Sequence, residues 1–174
     1  MRKALSAALL ICMVTILSAS LMPTVLAKKS EYVTGKWTYM AHMIPPVPAK
    51  IVGDNVFLNT WEDGIWSGGI AGVSIDAPCH IMIHGTNVWP PPSFDYRLFT
   101  AISTIKDCTV DGKTGGLVIF CAGKAEFGKE WHGAWVILSG TGGLKGIHGQ
   151  GTWWGMGAPG PEAWGFVEYQ GWIR

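Results

Sequence analysis

Between Arg97 and Phe127 the chain reads Arg97-Leu98-Phe99-Thr100-Ala101-Ile102-Ser103-Thr104-Ile105-Lys106-Asp107-Cys108-Thr109, then Val110-Asp111-Gly112-Lys113-Thr114, then Gly115-Gly116-Leu117-Val118-Ile119-Phe120-Cys121-Ala122-Gly123-Lys124-Ala125-Glu126-Phe127. Apolar residues run or alternate on both sides of a short stretch of turn formers, which is the pattern of two strands joined by a hairpin. The pattern recurs along the chain, and nothing after residue 27 has the spacing of a long amphipathic helix. Eight strands are predicted: Gly35 to Ala41, Asn55 to Glu62, Gly64 to Ile75, Arg97 to Thr109, Gly115 to Phe127, Glu130 to Leu138, His148 to Met156 and Trp164 to Ile173. Most connections are short, so consecutive strands should pair as antiparallel neighbours. The longer ones, Ile44-Pro45-Pro46-Val47-Pro48 and Pro78 to Ser93, contain prolines, which remove ladder donors and force loops.

Short antiparallel strands in this number imply an all-β barrel or sandwich, because an open sheet would leave sticky edges. Glycine favours the barrel: Gly64, Gly68, Gly69 and Gly72 fall in one stretch, and Gly149, Gly151, Gly155 and Gly157 in another. Such density weakens a flat strand but suits the coiling, bulges and close approaches of a small barrel. The expected fold is an eight-stranded antiparallel up-and-down β-barrel.

With 174 residues, 24 Gly, 10 Pro, 10 Trp and 14% charged residues, the chain has the make-up of one domain. Thirteen Lys+Arg nearly balance twelve Asp+Glu without any charge run, so neither nucleic acid nor an acidic membrane is an expected partner. Residues 1–27 read as an export signal. Arg2 and Lys3 precede an uncharged apolar stretch, and Val25-Leu26-Ala27 offers the small residues a signal peptidase accepts. The expected division is a signal over 1–27 and one barrel domain over 28–174, secreted or extracytoplasmic, with no membrane span once the signal is cleaved. An uncleaved signal would instead be an N-terminal membrane anchor, since Ala4 to Ala27 carries no charge.

Cys12 would leave with the signal, and the remaining Cys79, Cys108 and Cys121 are odd in number, so at least one thiol is free or pairs between chains. A four-residue turn over Lys113 to Gly116 would set Cys108 opposite Cys121 and allow a disulfide. A turn centred on Lys113 would set Cys121 against Ile105, and both thiols would stay reduced and buried.

The segment Trp131-His132-Gly133-Ala134-Trp135-Val136-Ile137-Leu138-Ser139-Gly140-Thr141-Gly142-Gly143-Leu144-Lys145-Gly146-Ile147-His148-Gly149-Gln150-Gly151-Thr152-Trp153 resembles a strand–turn–strand of small uncharacterised prokaryotic proteins with the allene oxide cyclase-like barrel. Plant dirigent proteins carry a related glycine-rich turn. Thr60-Trp61-Glu62-Asp63-Gly64-Ile65-Trp66-Ser67-Gly68 resembles an early hairpin of the group, and Val110-Asp111-Gly112-Lys113-Thr114-Gly115 a mid-barrel turn. The resemblance implies the eight-stranded barrel. It also implies a lumen that holds a hydrophobic molecule, as the plant enzymes hold a precursor whose cyclisation or coupling they steer. The catalytic acidic residues of those enzymes have no matched positions here.

His80, Met82 and His84 alternate with two isoleucines, so an extended strand puts all three on one face beside Cys79. Imidazole and thioether suit copper, whereas solvated histidines are the ordinary reading, and no cofactor is expected. Glu62, Asp95, Glu126, Glu130 and Glu168 sit in or beside strands. Glu168 shares a face with Phe166, Gln170 and Trp172. Facing inward, it would be a desolvated carboxylate able to act as acid or base; facing outward, it is merely solvated, and Tyr169 takes the lumen. Arg97, the one arginine within the body of the domain, suits a carboxylate partner or an anionic ligand. No nucleophile elbow, Ser-His-Asp order or phosphate loop is present.

All ten tryptophans, Trp37, Trp61, Trp66, Trp89, Trp131, Trp135, Trp153, Trp154, Trp164 and Trp172, follow the predicted signal. Barrel filling accounts for most of them, and subunit packing in a homo-oligomer for those on a second face. The expected function is binding of a small hydrophobic or aromatic molecule in the barrel mouth, with Trp37, Trp61, Trp66, Arg97, Trp135, Trp153 and Tyr169 as candidate contacts. One alternative is a cyclase or isomerase using Glu62 or Glu168, marked by two polar side chains converging in an apolar cavity. Another is a glycan or surface-recognition module using exposed Trp.

Overall fold

The computed structural model describes residues 29–42, 50–85, 95–157 and 164–174. Its strands are β1 (Glu31–His42), β2 (Lys50–Val52), β3 (Asn55–Gly68), β4 (Ile70–His84), β5 (Tyr96–Val110), β6 (Lys113–Glu126), β7 (Trp131–Gly140), β8 (Gly149–Gly157) and β9 (Trp164–Ile173), with one short 3₁₀ turn, Gly142–Leu144. Each strand from β3 to β9 pairs antiparallel with the next, β9 pairs with β1, and β1 pairs with β3. The result is a closed eight-stranded antiparallel barrel. The extra strand β2 lies outside the ring, paired only with the start of β3.

Alternation sets the two faces. Along β5, Arg97, Ala101, Ser103 and Ile105 are buried while Leu98, Ile102 and Thr104 are exposed. One strand from each wall thus supplies every second side chain to the lumen. The lumen is too narrow for its aromatic rings unless facing strands give way, and glycines supply the room. A Cβ on Gly133 would lie 2.4 Å from the Trp153 ring, one on Gly171 2.5 Å from Trp135, and one on Gly35 2.2 Å from the Tyr169 hydroxyl. The sequence's glycine density is therefore a set of notches for indoles and phenols.

Three strand boundaries differ from expectation for local reasons. Asp63-Gly64 is no turn: β3 runs on to Gly68 through a bulge between Glu62 and Gly64, and the chain reverses at Gly68-Gly69, where Gly68 takes φ 95°. Pro78 is no loop residue: β4 continues through it to His84, because the β4–β5 ladder is interrupted between Ser74 and Cys79, where a missing donor costs little. The β5–β6 turn is the two-residue Asp111-Gly112, with φ of 49° and 69° at its two positions, the conformation that twists a hairpin correctly. This register matches neither turn weighed above, and of the two outcomes for the thiols the reduced, buried one holds. Cys108 faces Gly115, Cys121 faces Ala101, and Cys79, Cys108 and Cys121 are all free and buried. The predicted signal, Cys12, Trp89 and the loop Ile44 to Pro48 lie outside the described residues.

One end of the barrel is closed. Leu144 and Ile147, from the β7–β8 connection, are buried there, and Thr141 holds the turn against β6 by accepting a hydrogen bond from the Gly116 amide at 3.0 Å. Ile70, Ile105, Leu117 and Ile119 fill the lumen above this plug. The Tyr169 hydroxyl ties the same region across the barrel: it accepts from the Ile70 amide at 2.8 Å and lies 3.0 Å from the Ser67 and Ile70 carbonyl oxygens.

Candidate functional site

Toward the other end the filling changes character. Trp37, Tyr39 and Ala41 of β1, Glu62 of β3, Cys79 and Ile81 of β4, Arg97 and Phe99 of β5, Trp131 of β7, Trp153 of β8 and Val167 of β9 surround a narrow pocket. Its cavity is about 30 Å³, room for about one water, and only with the adjoining open solvent does the unfilled space reach about 440 Å³. Among the described residues, Glu62 and Arg97 are the only charged side chains that are buried, at 7% and 8% exposure, and both face this pocket.

Strand parity along β3 and a bulge in β4, where Ile75 and Asp76 oppose Asp63, aim these groups. Glu62 precedes the bulge on the inward side, opposite Ala41 on β1 and Ala77 on β4, whose small side chains leave it room. The next residue, Asp63, points outward and braces the bend. Its Oδ1 accepts from the Asp76 amide at 2.9 Å and its Oδ2 meets His42 Nε2 at 2.8 Å. Those two partners hold the Asp63 carboxyl below its ordinary range. Asp76 itself takes φ 52°, so the brace stabilises a backbone turn that a non-glycine residue adopts reluctantly.

Desolvation dominates the electrostatics inside. Burial pushes the Glu62 carboxyl up to about 6, against a hydrogen bond from the Cys79 thiol and the field of Arg97. Burial likewise raises the Cys79 thiol and the Tyr39 phenol, so both stay protonated at neutral pH. The Arg97 guanidinium is pulled down by burial and supported by Tyr39, Cys79 and Glu62, with Tyr39 also in hydrogen-bond contact. Its carbon lies 3.8 Å from the centre of the Trp131 ring, a cation–π contact that partly replaces lost water. The walls are aromatic. Phe99 bridges Trp131 and Trp153 with ring centres 6.4 and 5.4 Å away, and Trp37 lies tilted against Tyr39 at 5.2 Å and stacks on Trp66 at 5.0 Å.

The sequence-predicted contacts divide by depth and by face. Trp37, Arg97, Trp153 and the acid candidate Glu62 line the pocket. Trp66, Trp135 and Tyr169 point inward but lie deeper, packed on one another, with Trp66–Tyr169 and Trp135–Tyr169 centres at 5.7 and 6.2 Å. Trp61 is 36% exposed on the outer wall. Glu168 also faces outward, 3.5 Å from Lys36, so the solvated alternative holds for it. His80, Met82 and His84 do share the outer face of β4, but His80 Nδ1 meets Asn59 at 2.6 Å and His84 Nδ1 meets Asn55 at 3.0 Å. Among the described residues no three His, Cys, Asp or Glu side chains gather as metal ligands. Exposed Trp164 and Trp172 stand apart on the outer wall, beside Met40 and Tyr32 respectively.

Tyr39, Cys79, Phe99 and Trp131 were missing from the predicted set. Parity held the signal for two of them: Tyr39 is two residues from Trp37, and Phe99 two from Arg97. The meeting of Glu62 with Cys79 and Arg97 depends on the bulge and on the β4–β5 irregularity, which spacing does not reveal.

The fold and this pocket define a small antiparallel β-barrel, closed at one end, with a polar cluster set in an aromatic mouth. No protein-family model and no curated protein gives a significant match to the chain. Among solved structures, a protein with unknown function from the DUF3224 family of Shewanella oneidensis MR-1 is similar at TM-score 0.57 and 16% identity, over 82% of this chain and 96% of that one. That likeness concerns the fold alone. Among the described residues no helix is long and apolar enough to cross a membrane.

Proposed function

We propose that the protein binds a small hydrophobic or aromatic molecule at the end of its barrel away from the Leu144–Ile147 plug. The observation that carries this reading is the pocket: aromatic walls around the only two buried charges among the described residues. An apolar lining with a few convergent polar groups is the usual make-up of a small-molecule site. The family resemblance of the glycine-rich turns points the same way, and we extend the proposal to kinship with the allene oxide cyclase-like barrels, to export, and to association of copies through the apolar outer wall. The test of binding is tryptophan fluorescence, since Trp37, Trp131 and Trp153 border the pocket. Titration with small aromatics should change the emission, and Ala41→Phe, whose ring takes the room that Ala41 leaves beside Glu62, should abolish the change and lower the melting temperature by about 5 °C or more. A response that survives this substitution would move binding elsewhere.

A second reading is favoured by the convergence of Glu62, Arg97, Tyr39 and Cys79. A carboxyl raised to about 6 beside a guanidinium is suited to pass a proton to an apolar substrate near neutral pH. Under it, Glu62→Gln should stop turnover of a bound substrate without loss of binding. Turnover that persists in this variant excludes Glu62 as the acid.

A further inference from the structure

The outer wall over β6 to β9 is dented. Ala122, Ala134, Thr152 and Gln170 stand side by side on these four strands, facing outward. One step along the strands the neighbouring outward row is Phe120, Val136, Gln150 and Trp172, with Tyr32 of β1 beside Trp172. Bulk in the second row and its lack in the first leave a groove of about 600 Å³, open to solvent and within the size range of small-molecule sites.

The floor of the groove is fixed from behind. The Trp135 ring fills the lumen beneath it, so close that a Cβ on Gly151 or Gly171 would lie 2.6 or 2.5 Å from that ring, and its indole N–H donates to the Gln170 carbonyl oxygen at 3.1 Å. The rim is fixed as well. Tyr32 meets Trp172 edge to face with ring centres 5.0 Å apart, and its hydroxyl donates to Gln170 Oε1 at 2.7 Å. That bond orients the Gln170 amide and leaves its N–H donors for a ligand, while an exposure of 56% keeps most of the Trp172 indole uncovered.

The lining selects an occupant by its chemistry. None of the described side chains that line the groove is charged, which disfavours nucleic acid and ionic ligands. Its polar members, Gln150, Thr152, Gln170 and Tyr32, carry amides and hydroxyls and surround an exposed indole. A purely apolar molecule would strip water from these groups and replace none of it. A neutral sugar chain matches both halves, since its hydroxyls pair with amides and hydroxyls and the C–H face of a sugar ring lies well against the negative face of an indole. We propose that this groove binds a neutral oligosaccharide, with one sugar ring against Trp172 and the chain lying over Thr152 and Ala134. The site is on the outer wall and does not depend on the barrel-end pocket.

The experiment is calorimetric titration of the full chain with cellohexaose, xylohexaose and chitohexaose, and with hexagalacturonate as a charged counterpart of the same length. At least one neutral hexamer should bind, and hexagalacturonate should not. Trp172→Ala should weaken binding about tenfold or more, and Ala134→Phe, whose ring covers the floor from an exposed position, should abolish it. Trp164→Ala removes an indole of similar exposure, 58%, outside the groove and should change nothing. Ala41→Phe should change nothing either, so failure of the barrel-end pocket and failure of the groove are read separately. If a groove variant misfolds, the wild type decides: on adding the hexamer the Trp172 indole N–H resonance should shift while that of Trp164 stays. Binding that leaves the Trp172 resonance unmoved or survives both groove variants, a preference for hexagalacturonate, or no binding of any neutral hexamer overturns the proposal. So does a wild type that sediments as a dimer and becomes a monomer in Trp172→Ala, because the groove would then belong to a second copy of the chain.

Discussion

The two ends of this barrel are built from the same residue types and do opposite things with them. At the closed end, Trp66, Trp135 and Tyr169 fill space among Ile70, Ile105, Leu117 and Ile119, and the phenol satisfies backbone groups across the lumen. At the other end, Trp37, Tyr39, Trp131 and Phe99 surround a carboxyl and a guanidinium and, among the described residues, leave a gap of about one water, about 30 Å³. The difference is one of partners rather than of hydrophobicity. Polar groups at the closed end are backbone atoms, hydroxyls and indole N–H groups, none of them charged, whereas those at the other end include ionisable side chains whose charges burial disfavours. A lumen filled throughout would be more stable, and the other end retains a desolvated carboxyl that a well-packed apolar group would replace without loss.

The largest break in this contrast comes from a glycine at the closed end. A Cβ on Gly35 would lie 2.1 Å from the Ser67 carbonyl oxygen and 2.2 Å from the Tyr169 hydroxyl, and the first is backbone that cannot swing aside. Gly35→Ala should therefore cost about 3 kcal/mol or more, read as a drop in the urea midpoint with unchanged slope. A cost below about 1 kcal/mol would mean that the closed end yields, and that its rings are not fixed by the notches. Next in size is Tyr169→Phe. It keeps the ring but strands the Ile70 amide, whose partner is the hydroxyl at 2.8 Å, and should cost about 2 kcal/mol.

At the other end the sign reverses with pH. Glu62 rises from 4.5 to about 6 on folding, so its ionised form is disfavoured in the folded chain. The stability it contributes is full below about pH 4.5 and is lost as pH rises through about 6, a total on the order of 2 kcal/mol. Glu62→Gln removes the titration. The difference in unfolding free energy, variant minus wild type, should thus climb between about pH 4.5 and pH 6.5 and then level off. A flat difference across that window would show that Arg97 and Cys79 offset the burial completely.

Much of the architecture was legible because it follows from period and turn chemistry. The alternation over Arg97 to Phe127 places β5 and β6 to within a few residues, although the turn between them falls at Asp111-Gly112 and not at Lys113 to Gly116 or about Lys113. What escaped reading was governed by ladder irregularities. One extra residue in β4, opposite Asp63, switches that strand's parity so that Ala77 and Cys79 face inward beside Glu62, and the gap in the β4–β5 ladder absorbs Pro78 into a strand that proline ordinarily ends. Cys108 and Cys121 failed to meet for a related reason, since their alignment depended on which residues formed the turn. The pocket was legible in its tryptophans and in Arg97, and illegible in the depth at which each sits. Parity distinguishes inside from outside, but Trp37 and Trp135 are both inside, and only the plug of Leu144 and Ile147 tells which lies toward the filled end.

The smallest effect is the sharpest control on face rather than depth. Glu168 and Glu62 are the same residue on neighbouring sectors of one barrel, and sequence alone offered both as lumen acids. Glu168 points outward to Lys36 at 3.5 Å, with side-chain exposures of 39% and 64%, so water screens the pair. Glu168→Gln should change stability by less than about 0.5 kcal/mol, and the change should fade in high salt. If Glu168→Gln instead matched Glu62→Gln in size, the outer face of β9 would have to be covered in solution. Glu168 lies there between Phe166 and Trp172 on the same outward row, so a second copy of the chain is the covering to look for, by sedimentation of the wild type and the variant side by side.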